Sequence, residues 1–188
     1  MRLCYCRGGV SPPELYTSGV YMNVFPKRKP TRLKDFDYSR GGAVFITICV
    51  ENRNKILSEI TKNDTNECIL TLTESGKIVE SAINGIPNKY PCFTVDNYVI
   101  MPDHIHFILT KDNLTPSDIT TTQVIGWFKY IVTSEINKLN NTPGKKIFQR
   151  SFYDHIIEGE KDYMQHWNYI YENPFNWLDE IFFIYATN

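Results

Sequence analysis

Met101-Pro102-Asp103-His104-Ile105-His106-Phe107-Ile108-Leu109 is the stretch on which the reading of this chain turns. Side chains alternate across a strand, so His104 and His106 share one face while Ile105, Phe107 and Leu109 share the other. Pro102-Asp103 interrupts the apolar pattern, and residues 93–101 before it are strand-like as well. The two runs predict an antiparallel pair that carries both histidines. Neutral imidazole is a common metal ligand, and two from one strand can occupy adjacent coordination positions. The same spacing also fits a half-exposed strand whose histidines meet solvent.

Working upstream, residues 43–50 are rich in β-branched residues and follow Gly41-Gly42, so they predict a strand. Residues 67–72 form a short apolar run after a polar loop. Thr73 can cap a helix over 74–86 with Ile78, Ala82 and Ile86 on one face, closed by Pro87 and Pro91. Downstream, residues 117–139 predict a long helix with Ile125, Phe128, Val132 and Ile136 inward, stopped by Asn140-Asn141-Thr142-Pro143-Gly144. One or two short strands follow within 147–157. A last helix spans 162–173 and is expected to end at Pro174, because proline disfavours helical geometry in the residue before it. The order β–α–β–β–α–β–α predicts an α+β fold, a ferredoxin-like antiparallel sheet with packed helices.

The chain has 188 residues, enough for one sizeable core. Residues 1–22 show Gly, Pro and Ser without periodicity and read as a disordered tail, leaving a single domain over 23–188. Met22, where the patterned sequence begins, is a candidate start. No apolar run reaches the roughly 20 residues that span a bilayer, and the N-terminus lacks a signal-peptide core, so a cytoplasmic protein with no membrane partner is expected. Cys4 and Cys6 have no second pair at zinc spacing, which argues against a structural zinc site.

A net charge of −1 gives no global nucleic-acid signal. The basic residues are clustered, however: Lys27, Arg28, Lys29, Arg32, Lys34 and Arg40 in one segment, Lys145, Lys146 and Arg150 in another. Local patches of this kind can serve a polyanion on a near-neutral protein.

On the last helix, Gln165, His166, Tyr169 and Asn173 recur at three- and four-residue spacing and share a side. Tyr163, Trp167 and Ile170 share another that reads as core. Taken alone, Tyr169 could simply pack, and Asn173 could be a helix C-cap before proline.

Three blocks of sequence give these residues a further meaning. "RLKDFDYSRGGAVFITICVENR", "YVIMPDHIHFIL" and "FQRSFYDHIIEGEKDY…YIYENPFNW" occur in this order over residues 32–179. Together they resemble the REP-associated tyrosine transposases, within the single-tyrosine HUH superfamily, in which U is a hydrophobic residue, here Ile105. The resemblance implies the HUH endonuclease fold. It implies a divalent metal, Mg²⁺ or Mn²⁺, bound by His104, His106 and Asn173, and Tyr169 as nucleophile, with Tyr153, Tyr163 and Tyr171 as nearby decoys. It further implies an enzyme: a transposase and nickase that cleaves and rejoins single-stranded or hairpin DNA from palindromic repeats through a 5′-phosphotyrosine. The alternative is a non-catalytic repeat-DNA-binding regulator with the same fold; a metallo-hydrolase using water in place of Tyr169 is a third reading. Either a monomer or a homodimer is compatible with the family.

Nucleic-acid contacts are expected at Lys34, Arg40, Lys129, Gln149 and Arg150, each of which could equally belong to a solvated face. His166, one turn before Tyr169, is a candidate base for a tyrosine whose ordinary pKa is near 10. His155 is a second supporting candidate, as a structural or DNA-facing histidine.

Overall fold

The computed structural model describes residues 42–63, 67–113 and 117–186, with side chains to Leu178. The expected boundary at residue 22, and the candidates Lys34 and Arg40, lie outside the described residues.

Strand β1 (Gly42–Cys49) is followed by a 3₁₀ turn (Glu51–Arg53) and a hairpin of β2 (Ser58–Lys62) and β3 (Cys68–Leu72). Helix α1 (Glu74–Lys89), strands β4 (Phe93–Ile100) and β5 (His104–Lys111), helix α2 (Thr121–Asn140), strand β6 (Tyr153–Ile156) and helix α3 (Gly159–Ala186) complete the order. The main sheet runs β4-β5-β1-β6, and all its neighbouring strands are antiparallel. Leaving out the hairpin, this is the ferredoxin-like arrangement: the two βαβ units are split, each by a strand of the other. No helix among the described residues is long and apolar enough to cross a membrane.

Alternation along β1 and β5 gives the sheet two unequal faces. Val44, Ile46 and Ile48 with Ile105, Phe107 and Leu109 pack beneath Val79, Ile83 and Ile86 of α1 and Val124, Phe128 and Val132 of α2. The opposite face carries Phe45 and Ile108, joined by Val99, Met101 and Ile170, with Tyr163, Trp167 and Tyr169 of α3 against them. Thr47, His104 and His106 stand on this second face, and all three are buried. The sheet is therefore covered on both sides, and its polar residues lie under α3.

Three boundaries differ from the sequence expectation. Helix α2 starts at Thr121 because Thr120 builds a capping box with Gln123, its hydroxyl accepting from the Gln123 amide and the Gln123 side chain accepting from the Thr120 amide. Helix α1 continues through Pro87, and α3 continues through Pro174. A proline inside a helix removes one hydrogen bond and costs about 3 kcal/mol. In α3 that cost is offset by a buried face that continues beyond the proline from Ile170 and Asn173 to Leu178. Asn173 is thus an interior helical residue and does not cap the helix. The β2–β3 hairpin falls where a polar loop and an apolar run are expected. Its strands are half exposed, and only Ile60 and Leu70 reach the second cluster.

The hairpin and α1 meet at a tight crossing. Thr73 caps α1 by accepting from the Gly76 amide at 3.1 Å, and its hydroxyl donates to the carbonyls of Ile56 and Leu57. A Cβ on Gly76 would fall 2.0 Å from the Leu57 carbonyl oxygen. Since that atom belongs to a paired backbone, Gly76→Ala is expected to destabilise the protein by at least about 2 kcal/mol, read from chemical denaturation.

Helix α3 is fixed to the sheet by a bulge. The register of β4 against β5 shifts between Val95 and Asn97, leaving Asp96 as the extra residue. Its carboxylate accepts from Thr94, Thr110 and the Tyr163 hydroxyl, the last at 3.0 Å. Partial burial, reinforced by the Asp96 carboxylate, pushes the Tyr163 phenol up to about 12.

Candidate active site

The β1–β5 register sets Thr47 opposite His106 and Cys49 opposite His104. The His106 Nδ1 lies 2.8 Å from the Thr47 hydroxyl. The His104 Nδ1 lies 2.6 Å from the Asp103 carboxylate, which is held in turn by Arg53 Nε at 2.9 Å. A carboxylate accepts only, so the His104 Nδ1 carries the proton and its Nε2 presents a lone pair. With Thr47 as acceptor, the same tautomer holds at His106.

Both Nε2 atoms are buried and without a hydrogen-bond partner among the described residues. The two rings meet edge to face with centroids 4.6 Å apart. Burial lowers the pKa of His104, despite the opposing effect of Asp103. At His106 burial is again the main cause, helped by the neighbouring His104 and Arg53, and the pKa falls well below the usual value. Both imidazoles are therefore neutral near pH 7. A buried lone pair left unmatched costs about 1–3 kcal/mol, so two such atoms side by side need an explanation.

Their surroundings come from α3. Asn173, 8% exposed, stands close enough to His104 to favour its charged form, although it makes no hydrogen bond of good geometry to Nε2. The Tyr169 ring lies edge-on to His106 with centroids 5.2 Å apart. Phe45 stacks on His106 and also contacts Tyr169 and His166. Of the helix face expected from spacing, His166, Tyr169 and Asn173 turn inward, whereas Gln165 is exposed.

His155 of β6 joins His166 and Asp162 in a second polar cluster. The rings of His155 and His166 stack at 4.5 Å. Asp162 accepts from His155 Nε2 at 2.9 Å, and His166 Nδ1 lies 2.9 Å from the Asp162 carbonyl and 3.1 Å from its carboxylate. The three could hold an ion between them. They differ from the His104/His106 pair in that neither ring presents a buried nitrogen without a partner among the described residues.

Lys129, Gln149 and Arg150 come together at the end of the sheet that carries His104. The Gln149 amide donates to the Cys49 carbonyl, beside His104, and Lys129 Nζ donates to the carbonyls of Gln149 and Arg150 at 2.6 and 3.0 Å. Lys129 is thereby a brace for this segment, and burial lowers its pKa. Arg150 is exposed.

Sequence reasoning missed Thr47, Asp103 and Arg53. Asp103 could have been found as the acid preceding His104, and Thr47 as the one hydroxyl in an apolar strand. Residues that hold a ligand's second nitrogen fix its tautomer and aim, and their loss typically weakens metal binding about 10–100-fold. If the histidine pair holds a divalent ion, Asp103→Asn and Thr47→Val are each expected to lower Mn²⁺ affinity in that range, measured by titration calorimetry on folded protein.

No family model matches the chain. An uncharacterized protein of Haemophilus influenzae is 30% identical over 188 residues, spanning 90% of this chain and 97% of that one. A second protein of the same organism, provisionally named a REP-associated tyrosine transposase, is 30% identical over 146 residues, 73% of each chain. Among solved structures, a REP-associated tyrosine transposase bound to a REP hairpin matches with a TM-score of 0.54 and 23% identity, covering 77% of this chain and 73% of that one. At that identity the likeness speaks for the fold.

Proposed function

This chain belongs to the REP-associated tyrosine transposase family, and from that premise we propose that it is a metal-dependent nickase and strand-transferase acting on single-stranded or hairpin DNA of palindromic repeats. The observation that carries the reading is the pair of buried, unpartnered Nε2 atoms on His104 and His106, with Tyr169 against one ring. Structural histidines in a core would be expected to satisfy both nitrogens.

The donor set fits a divalent ion. His104, His106 and Asn173 would hold it, the imidazoles already neutral and each fixed through Nδ1. Two imidazoles and an amide add no negative charge. When bound, an ion of the Mg²⁺ or Mn²⁺ class supplies positive charge against the scissile phosphate and polarises its oxygens.

The chain's own residues do the rest. The Tyr169 oxygen attacks phosphorus, the bond from phosphorus to the 3′ oxygen breaks, and the products are a 5′-phosphotyrosine and a free 3′-OH. The tyrosine loses a proton and the leaving oxygen gains one. His166, one turn before Tyr169 on α3, is the candidate base, its Nδ1 engaged on Asp162. Because the phosphodiester energy stays in the tyrosyl bond, the 3′-OH can reverse the step and rejoin strands. Tyr163 is a poor rival: it donates to Asp96, and a phenol pushed up to about 12 resists ionisation. Lys129, Gln149 and Arg150 would position the strand, and the protein would work in the cytoplasm.

The test is incubation with labelled hairpin DNA from the chain's own genomic flanks, with Mn²⁺ or with chelator, followed by denaturing electrophoresis. A covalent protein–DNA adduct that needs Mn²⁺ supports the proposal. Binding without cleavage would favour the regulator, and cleavage without adduct would favour a hydrolase that activates water.

A further inference from the structure

Helix α3 carries a fourth residue on the face of His166, Tyr169 and Asn173. Trp177 follows Asn173 by four residues, so it stands one turn further along the same side. Its ring lies 6.0 Å from the His104 imidazole, inclined at 46°, and is half-buried. The Lys55 Nζ stands 5.4 Å from the centre of the Trp177 ring. Lys55 is exposed, and it lies two residues after Arg53, which holds the Asp103 carboxylate. Neither Trp177 nor Lys55 takes part in the proposed ligand set or in the attack on phosphorus.

An indole partly open to solvent beside a buried imidazole, overlain by one flexible cation, has the chemistry of a nucleotide site. Aromatic faces stack any base, and a lysine offers a point charge to one phosphate. The lysine's hold on the indole is weak at an exposed position, so a base can take its place over the ring while the ammonium shifts to the backbone. We propose that Trp177 and Lys55 form a subsite for the nucleotide next to the scissile phosphate of single-stranded DNA, its base stacked on Trp177 and its phosphate on Lys55. This rests on the reading of His104, His106 and Tyr169 as the place of scission. Stacking is indifferent to base identity, so the subsite grips an unpaired nucleotide and leaves sequence choice to other contacts. It therefore selects for single strands next to the cut, since a base within a duplex has no free face.

The experiment separates binding from chemistry. The full chain carrying Tyr169→Phe is titrated, by fluorescence anisotropy, into a short fluorescein-labelled oligothymidylate and into an abasic strand of the same length. Added Trp177→Leu is expected to weaken oligothymidylate binding about 5- to 150-fold, Trp177→Phe to restore most of it, and neither to matter for the abasic strand. Lys55→Gln is expected to reduce the slope of log affinity against log salt by about 0.7. Thermal melting of each variant confirms that it is folded. Equal affinity of folded Trp177→Leu and its parent for oligothymidylate overturns the subsite, as does an unchanged salt slope or a parent that does not bind the probe. Nicking by the wild type would survive that result. Conversely, the binding pattern without any nicking would leave Trp177 and Lys55 as a single-strand contact but remove the enzyme reading and, with it, their place beside a scissile phosphate.

Discussion

Tyr169→Phe is expected to lower DNA nicking by at least about a thousandfold and to eliminate the covalent adduct, while hairpin affinity changes by less than about threefold. The substitution removes one oxygen from a half-buried ring and keeps its contacts with Phe45 and His106. The fold should therefore tolerate it. The same change at Tyr163 has the opposite profile: it deletes the hydrogen bond to Asp96 that ties α3 to the β4 bulge, so it should cost stability and leave adduct formation. Tyr171, 70% exposed on the far side of α3, should be neutral in both assays. Electrophoresis of adducts together with thermal melting separates the three.

The second large effect belongs to the histidine pair. His106→Gln or His104→Gln should abolish Mn²⁺-dependent nicking and also the thermal stabilisation expected of the wild type with Mn²⁺. A ligand at 100 times its dissociation constant stabilises a fold by about 2.7 kcal/mol, a shift readily seen in melting curves. His155→Gln should leave that shift in place, which distinguishes the two clusters of metal-ligating groups. The pH dependence has a definite sign. Burial holds the folded pKa of both imidazoles below the ordinary value near 6.5. Above that value neither state binds protons there. As pH falls below it, the unfolded chain takes up protons that the folded one refuses, so metal-free stability declines on the acid side. For the same reason Mn²⁺ binding should persist to a lower pH than an exposed histidine pair would allow.

Much of this arrangement is readable from residue order. Strand alternation divides His104 and His106 from Ile105 and Phe107, and helical spacing aligns His166, Tyr169 and Asn173. Both are local periodicities, and both hold in the structure. What is not readable depends on pairing between distant segments. Thr47 meets His106 only because β1 and β5 adopt one register. Arg53 meets Asp103 only because the turn after β1 folds back on that end of the sheet. The run of α3 beyond Pro174 is a case of tertiary packing outweighing a local preference, and it is what brings Trp177 alongside His104. The hairpin strands were obscured for a related reason: with one face exposed and few apolar residues, they have little period to read.

The most direct test of the account is to locate the DNA on the protein. The adduct formed with hairpin DNA and Mn²⁺ would be digested with nuclease and trypsin, and the peptide after Lys161 sequenced by fragmentation in a mass spectrometer. No Lys or Arg lies between Lys161 and Asn188, so that peptide contains Tyr163, Tyr169, Tyr171 and Tyr185. The account predicts a phosphonucleotide on Tyr169 alone. A nucleotide on any other residue, or nicked DNA with no modified peptide, would contradict it.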